Sequence, residues 1–202
     1  MDFGTDLALT VNVTSSYSNT FSYTTPSITL PSIEIEGLFS VVPTIDLILG
    51  AFISAAETVD LSSNVGISVA DGNIHLDLIN ESKTSSSGWT PTYTTDLSVS
   101  GEAAAEFNPF VILDANLAVD FSGVTMAAEA KAEAGFNNTL TLTGSADVSL
   151  KGVASTTSSG TCAEGLELDT QFVFGVNVYL IGTLLETLYP LDITLWDKCF
   201  GW

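Results

Sequence analysis

Hydrophobic and polar residues alternate with a period of two over long runs of this chain, the pattern of β-strands that bury one face and expose the other. Between Val111 and Gly123 the odd positions read Val, Leu, Ala, Leu, Val, Phe and Gly, while the even ones are mostly Asp, Asn and Ser. From Val124 to Phe136 the apolar set falls on even positions as Val, Met, Ala, Ala, Ala, Ala and Phe, with Thr125, Glu129, Lys131 and Glu133 opposite. Leu140, Leu142, Gly144, Ala146, Val148 and Leu150 continue the pattern against a polar face of Thr, Ser, Asp and Lys, and Leu166 to Leu180 repeats it.

Other strands are predicted at Leu7–Val13, Ile33–Val42, Ile45–Leu61, Val65–Val69, Ile74–Ile79 and Leu97–Phe107, with a short last one near Leu191–Trp196. Asn137-Asn138 is a good turn pair, and Asp71-Gly72 signals a tight hairpin. Ser85–Gly88 and Ser155–Gly160 mark loops. The stretch Met126–Ala134 is built from strong helix formers. Its alanines nevertheless alternate strictly with polar positions, so a strand is expected, since tertiary pairing overrides propensity.

Together these runs predict an all-β domain of long strands, an elongated antiparallel β-sandwich or a flattened β-barrel. One-face alternation favours antiparallel pairing, and strands of a dozen residues or more reach roughly 40 Å. The expected organisation is one domain over 1–202, with an extended segment at 1–32 carrying one strand and a main body at 33–202. Ile33-Glu-Ile-Glu-Gly37…Pro43 echoes Leu97-Ser-Val-Ser-Gly101…Pro109. This suggests a duplicated hairpin unit, 33–79 and 97–150, or simply the way long hairpins are punctuated.

Charge narrows the function classes. The chain carries 24 acidic residues against four basic ones, for a net charge of −20. All four basic residues are lysines (Lys83, Lys131, Lys151 and Lys198). Such a chain repels nucleic-acid phosphate and anionic membranes, and without arginine it lacks the bidentate fork for phosphate or carboxylate ligands. Nucleic-acid and nucleotide binding are therefore not expected, and the acidity reads as a means of keeping an apolar protein soluble.

Several features point outside the cell. Cys162 and Cys199 are compatible with one disulfide, which would close a loop worth about 4 kcal/mol in the chain-entropy model. Two buried free thiols are the alternative. Asn12-Val-Thr14, Asn80-Glu-Ser82 and Asn137-Asn-Thr139 are N-glycosylation sequons. No signal-peptide pattern opens the chain, so a mature domain or an excised fragment behind a start Met is expected. No apolar run is long enough for a transmembrane helix. Long alternating strands also fit a transmembrane barrel loosely, but the many small residues and weak aromatic girdles favour a soluble sandwich.

The Gly–Pro punctuation at Gly37/Pro43 and Gly101/Pro109, the Ala-rich long strands and the ending Leu188-Tyr-Pro-Leu-Asp-Ile-Thr-Leu-Trp-Asp-Lys-Cys-Phe200 form a recognisable combination. It resembles the β-rich extracellular domains of secreted or cell-surface proteins from filamentous fungi, over most of the chain from about Ile33 onward. The resemblance implies an extracellular address and the pairing of the two cysteines. It carries no catalytic residues.

Candidate chemistry is sparse. His75 is the sole histidine and lies opposite Ile74, Leu76 and Leu78, so it should point outward. With no Gly-x-Ser-x-Gly elbow, a Ser–His–Asp triad has no support. One histidine and two separated cysteines do not make a zinc site, and Asp71-Gly-Asn73 falls short of a calcium loop, so neither metal nor cofactor is expected. Carboxylate pairs suited to glycoside hydrolysis occur on polar strand faces at Glu34/Glu36, Glu102/Glu106, Asp114/Asp120, Glu129/Glu133 and Glu167/Asp169. A solvated strand face looks the same.

Aromatic residues are the better lead. Trp89 and Tyr93 in a Ser-rich segment, and Tyr17, Phe21 and Tyr23 near the N-terminus, suit a sugar-stacking platform or a cap on the β core. Trp196 and Trp202 flank Cys199 and suit packing. The expected function is a non-enzymatic structural or adhesive role at a cell surface or matrix, with homo-oligomers forming through strand edges. A carbohydrate-binding module contacting cell-wall glycan is the alternative, and a glycosidase-like hydrolase the third reading.

Overall fold

The computed structural model describes residues 3–36, 38–75, 83–101, 104–121, 124–143, 146–151 and 165–200. The smaller of its two main sheets pairs β1 (Phe3–Val13), β6 (Val59–Ala70), β9 (Thr90–Gly101) and β12 (Ala146–Lys151) in that order. The larger runs β14 (Thr183–Phe200), β13 (Gly165–Leu180), β11 (Val124–Thr143), β10 (Ala105–Phe121) and β5 (Phe39–Ala55). Its far edge, along β5, is shared by β2 (Tyr17–Thr24), β3 (Ile28–Thr29) and β4 (Ile33–Ile35). Every pairing is antiparallel. The fold is a sandwich and not a closed barrel, because the two sheets stay separate and keep free edges.

The alternating pattern fills the space between the sheets. Val59, Leu61, Val65, Ile67 and Val69 point inward from β6. They meet Phe107 and Val111 of β10, Ala132, Ala134, Phe136 and Leu140 of β11, and Leu168, Phe172, Phe174 and Val176 of β13. Met126–Ala134 is strand, as its alternation indicates, with Ala132 and Ala134 almost wholly buried.

The larger sheet outruns the smaller. Its β11 is 20 residues long, against 12 for β6. An apolar row crosses its inner face at the end away from the Ala55 and Gly101 crossings. Ile33, Val41, Val119 and Met126 form one row across it by register, and Ile33 and Met126 are exposed.

Several boundaries differ from the sequence expectation, each for a physical reason. The runs Ile45–Leu61 and Leu97–Phe107 are each two strands, because the chain crosses from one sheet to the other after Ala55 and after Gly101. Leu140–Lys151 likewise divides between Thr143 in β11 and Ala146 in β12. Asn137-Asn138 is no turn but lies inside β11. Residues 3–32 hold β1, β2 and β3 where one strand was expected, and they supply an edge to each main sheet.

Asp71-Gly72 is not a hairpin tip either. The β6–β9 ribbon ends at Ala70↔Thr90 and resumes as β7 (Asn73–His75) against β8 (Ser85–Ser87) from Asn73↔Ser87. Asp71, with a φ of 59°, therefore kinks a ribbon that continues. The last strand is 18 residues long, not a short one near Leu191–Trp196. Three register shifts against β13 scramble its alternation.

Candidate functional site

The chain passes from β1 to β2 through Thr14–Ser16, leaving one sheet for the other. Both strands are sheet edges, so the sandwich is open along this side. The opening is a groove of about 810 Å³. Alternation on β1 directs Leu7, Leu9 and Val11 into it, and β2 contributes Tyr17, Phe21 and Tyr23. Leu49, Ala51 and Ile53 of β5 line its floor, and Thr14 and Ser15 close one end. Tyr17 and Phe21 stack with ring centroids 6.2 Å apart and planes 11° from parallel. Phe21 is 50% exposed and Tyr23 62%, so two aromatic rings stand open to solvent at the rim.

The polar atoms of the lining belong to Thr10, Asn12, Thr14, Ser15, Ser22 and the two tyrosines. In a chain with 24 acidic residues, none of the lining side chains is charged. The walls of this groove offer dispersion contact and desolvation to an apolar molecule but no ion pair.

The other aromatic candidates lie elsewhere. Trp89 is 6% exposed and packs in the core against Phe174 at 5.8 Å, and Gly72 gives its ring room: a Cβ there would sit 2.5 Å from it. Tyr93 stacks on Phe172 at 4.4 Å and meets the edge of Phe136 at 5.9 Å. Trp89 and Tyr93 therefore pack on the core, the second of the two roles their sequence context offered, rather than forming a surface platform. Of the aromatic candidates, Tyr17, Phe21 and Tyr23 gather at a surface. The groove's other walls, Leu7, Leu9, Val11, Leu49, Ala51 and Ile53, read in sequence as ordinary core positions, because alternation does not distinguish a strand beneath a neighbour from one at an open edge.

A polar cluster sits on the outer face of the larger sheet. Lys131 bridges Glu129 at 2.8 Å and Asp114 at 3.6 Å, and lies over the Tyr179 ring at 5.3 Å. Asn116 donates to Asp114 at 3.1 Å. Burial, and then its hydrogen bond to Glu129, push the Asp114 carboxyl up to about 6, against the pull of Lys131. Asp114 is thus partnered across the strands with Glu129, not with Asp120 along its own strand. Asp114 is 7% exposed and its carboxylate already engaged, which suits a stitch between strands better than attack on a substrate. No group of side chains suited to holding a metal ion occurs among the described residues.

His75 is exposed, as its position suggests. Asn12 is exposed on β1 and its amide donates to Asp60. Asn137 is exposed on β11. Asn80 and Cys162 lie outside the described residues, and Cys199 falls in β14 opposite Glu167. No helix among the described residues is long and apolar enough to cross a membrane. Comparison of the chain with protein-family models, curated proteins and solved structures finds no match.

Proposed function

We propose that this domain is a non-enzymatic binding module that takes a neutral, elongated apolar molecule of the lipid class in the groove between β1 and β2. The observation that carries the reading is the uncharged lining of an 810 Å³ opening in a strongly acidic chain. Ligand sites commonly have this size and apolar character. A charged headgroup would find no partner inside. The setting we infer is extracellular, supported by the sequons, the two cysteines and the likeness to secreted fungal β domains. A glycan platform loses support because Trp89 is buried in the core and the Tyr93 ring is stacked on Phe172. The Asp114/Asp120 pair loses support as hydrolase carboxylates because Asp114 is engaged and buried.

Titration of the protein with a neutral fluorescent sterol or diacylglycerol analogue tests this. Saturable binding should weaken about tenfold or more in the double variant Phe21→Ser/Tyr23→Ser, whose residues are at least half exposed and so should leave the fold intact. Absence of saturable binding to the unmodified protein would sink the reading.

A structural or adhesive role by self-association is the second reading. It is favoured by the exposed apolar side chains of Ile33 and Met126, which share a register row across the larger sheet. The charge of −20 opposes contact between copies, so association through this row should strengthen with added salt. Light scattering that stays monomeric from low to high salt would exclude it.

A further inference from the structure

Outside the groove, the outer face of the larger sheet carries a second hollow, of about 450 Å³. Its floor is backbone, because Gly135 of β11 and Gly175 of β13 place no side chain there. Phe52, Phe110 and Val173 wall it with apolar surface, and Asn108 and Glu133 add polar edges. A glycine within a strand often marks a place where something else approaches the backbone closely. Gly135 faces Phe110 across the ladder, and a Cβ there would lie 3.3 Å from the Phe110 Cβ.

Asn137 lines the same hollow. It is two residues beyond Gly135 on the same face of β11, is exposed, and begins the sequon Asn137-Asn-Thr139. Thr139, the hydroxyl that the sequon requires, is exposed on that face as well. Asn138 between them points inward and is buried. At the Asn12 sequon, by contrast, the side-chain amide is held by Asp60.

We propose that Asn137 carries an N-linked glycan whose first N-acetylhexosamine lies over Gly135, between Phe110 and Val173. The proposal rests on the extracellular reading but not on the groove between β1 and β2. In the modification the anomeric carbon of the sugar bonds to Asn137 Nδ2. The bond from that carbon to its lipid-linked diphosphate donor breaks, the diphosphate leaves, and the amide gives up one proton to the transferase. The sugar's C–H face then covers apolar surface that Phe110 and Val173 leave to water, while its acetamido and hydroxyl groups reach the side chains of Asn108 and Glu133.

The test is secretion from a eukaryotic host, site mapping by mass spectrometry, and thermal unfolding of three forms: fully glycosylated, trimmed to a single sugar, and unglycosylated Thr139→Ala. Asn137 should be occupied. The single-sugar form should keep most of a gain of about 2–4 °C in Tm over Thr139→Ala, the shift that a contact of this kind gives a domain of this size. In Phe110→Ala, or in Phe52→Ala if the first does not fold, that gain should shrink by half or more. An unmodified Asn137 in the secreted protein, or a Tm that ignores removal of the sugar, would overturn the proposal. Either result leaves the groove reading standing, because lipid binding is measured separately.

Discussion

Asn138 of β11 donates its backbone N–H to the side-chain oxygen of Asn108 in β10 at 2.8 Å, and its own side-chain amide donates back to the Phe107 carbonyl. The β10–β11 pairing lapses here, between Glu106↔Thr139 and Phe110↔Gly135. Pro109 sits within the lapse and has no N–H to give. The two asparagines restore in side-chain form the hydrogen bonds that the ladder omits. Asn138 is 3% exposed, so removing it strands a buried carbonyl. Asn138→Ala should destabilise the fold by about 1–3 kcal/mol in urea unfolding, the usual cost of an unmet buried acceptor. A loss no larger than that of an exposed control such as Asn64→Ala would show that the pair contributes nothing.

Gly50 is fixed by space and not by backbone conformation. A Cβ at Gly50 would fall 2.3 Å from Phe110 Cζ and 2.5 Å from the Phe21 carbonyl oxygen. The ring of Phe110 thus takes the place a side chain would occupy, and β2 approaches β5 closely enough to form the groove wall. Gly50→Ala should cost about 1–3 kcal/mol, the range for overpacking. In the background of Phe110→Ala the same change should cost measurably less, though not zero, because the Phe21 carbonyl remains. Equal costs in both backgrounds would contradict the contact.

Stability should rise as pH falls from 7 toward 4. Burial and the Glu129 contact raise the folded-state pKa of Asp114 from 3.8 to about 6. Burial and the neighbouring Asp197 and Asp192 raise that of Asp169. Above the folded pKa both states are ionised, and the folded one bears the whole cost of a buried carboxylate. As pH falls through about 6 the folded state takes up the Asp114 proton first, and the difference is complete once the unfolded state protonates near 3.8. The effect of Asp114 is on the order of 2 kcal/mol. Relief of the general acidic repulsion acts in the same direction, so the diagnostic comparison is Asp114→Asn, which should flatten part of the rise between pH 6 and 4. An unchanged slope would remove Asp114 from the account.

Fold class was legible in the sequence because alternation reports which side of a strand is buried, as it does from Ala128 to Phe136 and from Leu168 to Val178, although Val124 and Met126 of the same inner set are exposed. The corners were not. When the chain crosses between sheets after Ala55 or Gly101, both inner faces look into the same core. Odd residues stay buried on either side of the crossing, with Ile53 and Ala55 followed by Val59 and Leu61, so the pattern runs straight through the break. The opposite failure hid β14, where bulges shift register between Thr170/Gln171, Val176/Asn177 and Val178/Tyr179. Each added residue inverts the alternation of a strand that is nonetheless continuous. At the groove, composition selected Tyr17, Phe21 and Tyr23 as aromatics of interest. It could not separate them from Trp89 and Tyr93, because ring exposure depends on which strand ends a sheet.

The alanine-rich stretch of β11 offers a test in which one substitution should give two different results. Ala134 is buried on the inner face, whereas Ala127 is exposed on the outer one, with its carbonyl accepting the N–H of Ile181. On a strand, valine at an exposed position is neutral or mildly favourable, since a β-branched side chain suits extended backbone. At a filled inner position the added carbon atoms have nowhere to go. Ala127→Val should therefore leave Tm unchanged or raise it slightly, while Ala134→Val should destabilise by about 1–3 kcal/mol through overpacking. A helix would respond otherwise, because both sites would then lose helix propensity by similar small amounts. Equal, modest losses at the two positions would mean that the most helix-prone segment of the chain is not the strand described here.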